Sequence, residues 1–142
     1  AVLGLGATVI TNRREIAADD FFVGMYTTAL DEGEIITAVR FPIPKRAAYM
    51  KFKQPASRFS LVGVFVAQFD AGVRVAVTGA SSCVFRHAGL EAALSGSFTP
   101  QAAAAVVIDA SDLNADLHAS AAYRANLISV QTQRAVAKMT SP

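Results

Sequence analysis

The sequence predicts an α+β fold: an antiparallel sheet of about three or four strands followed by three helices packed on it, preceded by strands of a larger domain. Three observations predict it. The chain is 53% hydrophobic and 17% charged over 142 residues, enough to fill a core and unlike a disordered segment. From Tyr49 to Ala80 the apolar residues come in strand-length blocks, and after Cys83 the spacing turns helical. Before residue 45 there are strand patterns but no helix of any length, too little to fold alone.

In chain order, the first question is LGLGATV, which looks like a phosphate-binding glycine loop. Gly4 and Gly6 supply two of the three glycines such a loop needs, but Val9 stands where the third belongs. The β-branched ATVIT that follows reads as a strand, so the glycines are expected in a turn or weakly formed strand leading into Ala7–Thr11. Asp19-Asp20 are expected to cap a helical turn before Phe21-Phe22, since adjacent carboxylates diverge too much for acid/base chemistry. EIITAVRFP alternates Ile35, Thr37, Val39 and Phe41 against Ile36, Ala38 and Arg40, a strand that Pro42 and Pro44 end. IPKRAA reads as a linker. Residues 1–44 are therefore expected to be the tail of one domain and residues 45–142 a second. The chain also opens on an apolar stretch without methionine, which favours a fragment of something longer.

In the second stretch YMKFK is a short strand. SLVGVFVAQF is apolar on both faces, as a central strand covered by helices would be, and Asp70-Ala71-Gly72 turns it back into VRVAVTGA. RHAGLEAALSG has helical spacing with Gly96 placed to cap its end. Thr99-Pro100 is an N-cap with proline at the first helical position, opening QAAAAVVIDA. Ser120 caps the last helix, in which Tyr123, Leu127 and Val130 share a face and Arg134 and Lys138 suit the C-terminal turns.

Bulk charge and motifs exclude several classes of function. A net charge of +2, with no run of Lys and Arg longer than two, gives no nucleic-acid footprint. No continuous apolar run nears the roughly twenty residues of a bilayer span, and no signal sequence opens the chain, so a cytoplasmic location is expected. The single cysteine, Cys83, excludes an internal disulfide and a thiolate-held iron–sulfur cluster. Cys83 is expected to be a buried small hydrophobe, with His87 as its only local base. His87 and His118 have no partners at metal-ligand spacing. Composition and spacing thus describe an α+β domain without a self-sufficient active site.

The order of small motifs adds a resemblance. REIAADDFFVGMYTTALDEGEIITAVRFPIP, YMKFKQPASRFSLVGVFVA, GLEAALSG and SAAYRANLISVQTQRAV follow one another as R-x-I-x-x-x-D-F-F, T-x-L-x-x-x-E-I, aromatic-Lys-x-x-x-x-R, E-x-x-L-x-G and Y-R-x-x-L. Over residues 5–137 the chain resembles the C-terminal part of the FAD-binding medium subunit of the molybdenum hydroxylases, the xanthine dehydrogenase and carbon monoxide dehydrogenase group. The resemblance implies the last strands of an FAD-binding domain (1–44) followed by a CO dehydrogenase flavoprotein C-terminal-like domain (45–142), the main FAD loops lying upstream. It implies Glu34 to Thr37 beside the flavin ring, with Ile36 or Thr37 against its face, and Lys53 near the isoalloxazine edge. Arg58 is expected at subunit contacts or on a local carboxylate. Partners implied are an iron–sulfur small subunit carrying 2Fe-2S clusters and a large subunit carrying molybdopterin, with electrons passing through FAD to an acceptor. The fragment alone is expected to be inactive and to bind FAD weakly or not at all. The alternative is a non-catalytic α+β dimerisation or ligand-sensing module, and a homodimer of the fragment is compatible with either.

Overall fold

A computed structural model describes residues 1–141. In chain order the elements are α1 (Val2–Leu5), β1 (Thr8–Thr11), β2 (Glu15–Ala17), α2 (Ala18–Phe21), β3 (Phe22–Gly24), β4 (Thr27–Thr28), β5 (Ile36–Arg40), β6 (Arg46–Lys53), β7 (Ser60–Phe69), β8 (Gly72–Thr78), β9 (Phe85–Arg86), α3 (Ala88–Gly96), α4 (Pro100–Ala104) and α5 (Ala121–Thr140). The strands make a small sheet β2-β1-β5, a hairpin β3-β4 and a main sheet β6-β7-β8-β9, and every strand pair is antiparallel.

The pleat of the main sheet decides what faces what. Met50 on β6, Val64 on β7 and Val77 on β8 stand in register. With Ala48, Val62, Val66, Val73 and Val75 they form one wall of the core. The helices cover that wall: Leu127, Ile128, Ala135 and Val136 of α5, Leu90 and Leu94 of α3 and Ala103 of α4 are all buried in the same cluster. Ser120 and Thr99 cap their helices as expected, accepting the N–H of Tyr123 (3.2 Å) and of Ala102 (3.2 Å).

β7 is apolar on both faces because its second face is covered too, though by the N-terminal segment instead of by helices of its own stretch. α1 lies across Phe65 and Ala76. A Cβ on Gly4 would come within 2.5 Å of the Phe65 ring, so that close seat requires glycine. The expected turn or weak strand at the glycines is therefore a one-turn helix. Gly6, at φ 63°, is the left-handed residue that ends it. A glycine pair with helix-cap geometry looks the same in sequence as one in a turn.

Several local expectations shift. β6 begins at Arg46, inside the stretch read as a linker, because pairing with Gln68 extends the ladder past the aromatic residues. α3 runs through Gly96, and extended Ser97 caps it. α4 ends at Ala104 although the alanine pattern continues: Val106 and Ile108 leave the helix to pack on the main core. Asp19 and Asp20 lie in the first turn of α2, whose cap position is Ala17.

Candidate functional site

The part of the main sheet left open by α1 is where the expected lysine stands. Tyr49, Lys51 and Lys53 alternate along β6 with Ala48, Met50 and Phe52, so they point away from the core and are exposed. Tyr49 bends over Gly63, the one residue type that leaves room, since a Cβ there would collide with the phenol ring. Its hydroxyl shares a 2.6 Å hydrogen bond with Ser60 Oγ, which fixes the ring over the sheet. Beside it lies a cavity of about 500 Å³ lined by Leu3, Phe22, Tyr49, Phe65, Thr78 and Val84. Lys51 Nζ donates to the Arg58 carbonyl at 3.3 Å. Among the described residues Lys53 has no ion-pair partner. Arg58 has none either; it closes the turn after β6 at φ 61°, its N–H donating to the Gln54 carbonyl at 2.8 Å.

Ile36 and Thr37 belong to the other sheet. β5 is bonded to β1 along one side and forms the edge of its sheet. Ile36 is 42% exposed and Thr37 Oγ1 donates to the Ile10 carbonyl at 3.2 Å. The three expected residues thus lie on two separate sheets, all exposed.

Glu34, expected beside Ile36, turns inward instead. Arg14 Nε and Nη2 donate to its two oxygens at 3.1 and 3.0 Å, and Thr11 Oγ1 donates at 2.7 Å. The Asp31 N–H donates at 2.8 Å. The Arg14 fork, then these other donors, hold its carboxyl at about pH 2. Glu34 therefore anchors the loop that delivers Ile35 and Ile36 and touches no open surface.

The arginine of Y-R-x-x-L, Arg124, is structural as well. It is 3% exposed, and its Nη1 donates to the carbonyls of Leu61 (2.9 Å) and Gly79 (3.0 Å) while Nη2 pairs with Asp116 at 2.8 Å. One guanidinium ties the first turn of α5 to the start of β7 and the end of β8. Cys83 is half-buried, contrary to the expectation of full burial, because it lines a pocket of about 330 Å³ with Phe85, His87 and Ile108. His87 Nδ1 accepts the Leu90 N–H at 3.2 Å to cap α3, so that nitrogen is not free to act as a base. No three metal-ligating side chains gather among the described residues.

No family model matches the chain. It is 36% identical over 137 residues to the nicotine 6-hydroxylase medium subunit of Paenarthrobacter nicotinovorans, covering 89% of this chain and 48% of that protein. It is 30% identical over 136 residues to the carbon monoxide dehydrogenase medium chain of Hydrogenophaga pseudoflava, covering 87% of this chain and 47% of that one. The chain is a homologue of molybdenum-hydroxylase medium subunits. It spans about half the length of the medium subunits it matches. The fold agrees with two solved structures. Quinoline 2-oxidoreductase from Pseudomonas putida 86 superposes with a TM-score of 0.78 at 22% identity, covering 97% of this chain and 53% of that one. CO dehydrogenase from Oligotropha carboxidovorans gives 0.80 at 23%, covering 97% and 54%. The medium-subunit motifs divide by role: Glu34 and Arg124 hold the fold, while Lys53 and Ile36 face outward. Sequence spacing missed Tyr49, although its partner Gly63, a glycine in mid-strand, is the kind of signal that marks a close approach. It also missed the pairing of Asp19 with Arg74 and Arg86, which are far apart in sequence.

Proposed function

We propose that the chain is the C-terminal part of the FAD subunit of a molybdopterin-dependent hydroxylase or dehydrogenase. Residues 1–44 are the tail of the FAD-binding domain and residues 45–142 the C-terminal domain. The observation that carries this reading is the open face of the main sheet, with Lys53, unpaired among the described residues, in line with a fixed Tyr49 ring. An exposed aliphatic side chain, Ile36, and an unpaired ammonium suit the flat apolar face and the polar edge of a flavin. Once bound, FAD supplies a carrier that takes up and releases one or two electrons. Ile36 would pack on the ring and exclude water, while Thr37 is held back by its bond to the Ile10 carbonyl. Lys53 would place a positive charge at the edge where reduction leaves negative charge, which would raise the potential. Glu34 and Arg14 keep the β5 loop in place for that contact. In an assembly with a 2Fe-2S small subunit and a molybdopterin large subunit, a flavin held here would supply electron transfer to an acceptor.

The complete gene product, purified and examined by visible spectroscopy, tests this directly. Flavin bands at roughly 450 nm are expected in the oxidised protein, and their absence overturns the assignment. Within that protein Lys53→Met is expected to lower the flavin midpoint potential while leaving thermal unfolding unchanged, since an exposed strand lysine contributes little to stability. A potential equal to wild type removes Lys53 from the site.

A further inference from the structure

The two stretches of the chain touch through apolar packing and through one polar cluster. Leu3, Gly4, Ala7 and Ala18 pack against Phe65, Ala76 and Val84, contacts that hold surfaces together without fixing their rotation. Among the described residues, every hydrogen bond and ion pair joining residues 1–44 to residues 45–141 is made by Arg74 or Arg86. Arg74 Nη2 donates to the Leu3 carbonyl at 2.9 Å and to both oxygens of Asp19 at 2.9 and 3.0 Å. Arg86 Nη1 reaches Asp19 Oδ1 at 3.1 Å. Arg86 is itself held by Glu91, at 2.8 Å from Nε and 2.6 Å from Nη2, and Glu91 also accepts the Val75 N–H at 3.0 Å. A rigid fork from α3, β8 and β9 thus grips one carboxylate on α2.

We infer that Asp19 is a positioning residue: its grip by Arg74 and Arg86 sets how the β5 sheet sits against the main sheet, and so where Ile36 stands relative to Lys53. Charge-assisted hydrogen bonds are directional where apolar packing is not, which makes this cluster the element able to fix the angle. The segment between β5 and β6, Phe41–Lys45, has no regular structure and cannot do so by itself. The consequence for the flavin rests on the function proposed above; the grip itself does not.

Hydrogen exchange and flavin potentiometry on Asp19→Asn and Asp19→Glu in the complete gene product test it. Asp19→Asn keeps the shape and removes the charge. Amide exchange in residues 2–21 is expected to rise about tenfold or more, with β7 amides unchanged. The flavin potential is expected to fall, in the direction of Lys53→Met, and Asp19→Glu to restore most of both. Unchanged exchange in residues 2–21 overturns the grip. An equal rise in β7 overturns it too, because Asp19 is then merely a stabilising residue. Raised local exchange with an unmoved potential overturns the positioning role. Wild-type protein without flavin overturns the flavin reading, and with it the consequence for Lys53, and the exchange data then judge the grip alone.

Discussion

Arg124 shows how much one side chain can carry. Its guanidinium is out of water and satisfies two carbonyls at the ends of two strands. Arg124→Met removes the Nη1 donor from those carbonyls and the Nη2 partner from Asp116 Oδ2, and should lower unfolding free energy by about 2–4 kcal/mol, read by chemical denaturation. A loss under about 0.5 kcal/mol, as at ordinary surface sites, would contradict the account. Glu34 gives a pH signature. Its folded carboxyl titrates at about 2, below the ordinary carboxylate value, chiefly because of the Arg14 fork. A depressed folded pKa stabilises the native state above the unfolded value, and that contribution is lost as pH falls toward the folded one. Thermal unfolding midpoints should therefore drop from pH 4.5 to pH 2 more steeply in wild type than in Glu34→Gln. Parallel profiles would show that Glu34 is not the source.

At the scale of elements, α5 contains a flaw that can be corrected. Gln131 is 1% exposed, and among the described residues neither its amide nitrogen nor its oxygen finds a partner. Thr132 beside it is satisfied, its hydroxyl donating to the Ile128 carbonyl at 2.7 Å. Gln131→Met keeps length and flexibility while removing two buried unsatisfied groups, and should raise stability by about 1 kcal/mol or more. A destabilised variant would mean that the amide has a role in the native state. The helices also show what sequence conveys well. Ser120 and Thr99 were legible as caps because capping is local chemistry, settled within three residues. The end of α4 was not, since Val106 and Ile108 leave the helix for contacts with the main core. The helix at the first glycines was hidden for a related reason: Phe65, which demands Gly4, lies sixty-one positions away.

For the whole molecule, the layered α+β arrangement and the strand order around β7 were readable from alternation, a turn and a change of period. The medium-subunit kinship was readable from five ordered motifs. The roles inside those motifs were not. Sequence order cannot tell an inward Glu34 from an outward Ile36, or show that Asp19 answers two distant arginines. Those distinctions depend on which face of which sheet a residue reaches, and that is set by packing of one stretch on the other. No helix among the described residues is long and apolar enough to cross a membrane.

β6 is at once an inner wall and an outer surface. Selection must therefore read it letter by letter: Ala48, Met50 and Phe52 answer to the interior, whereas Tyr49, Lys51 and Lys53 are free to answer to whatever lies outside. A lineage could change what this surface meets along every second position of the strand and leave the inner wall unaltered.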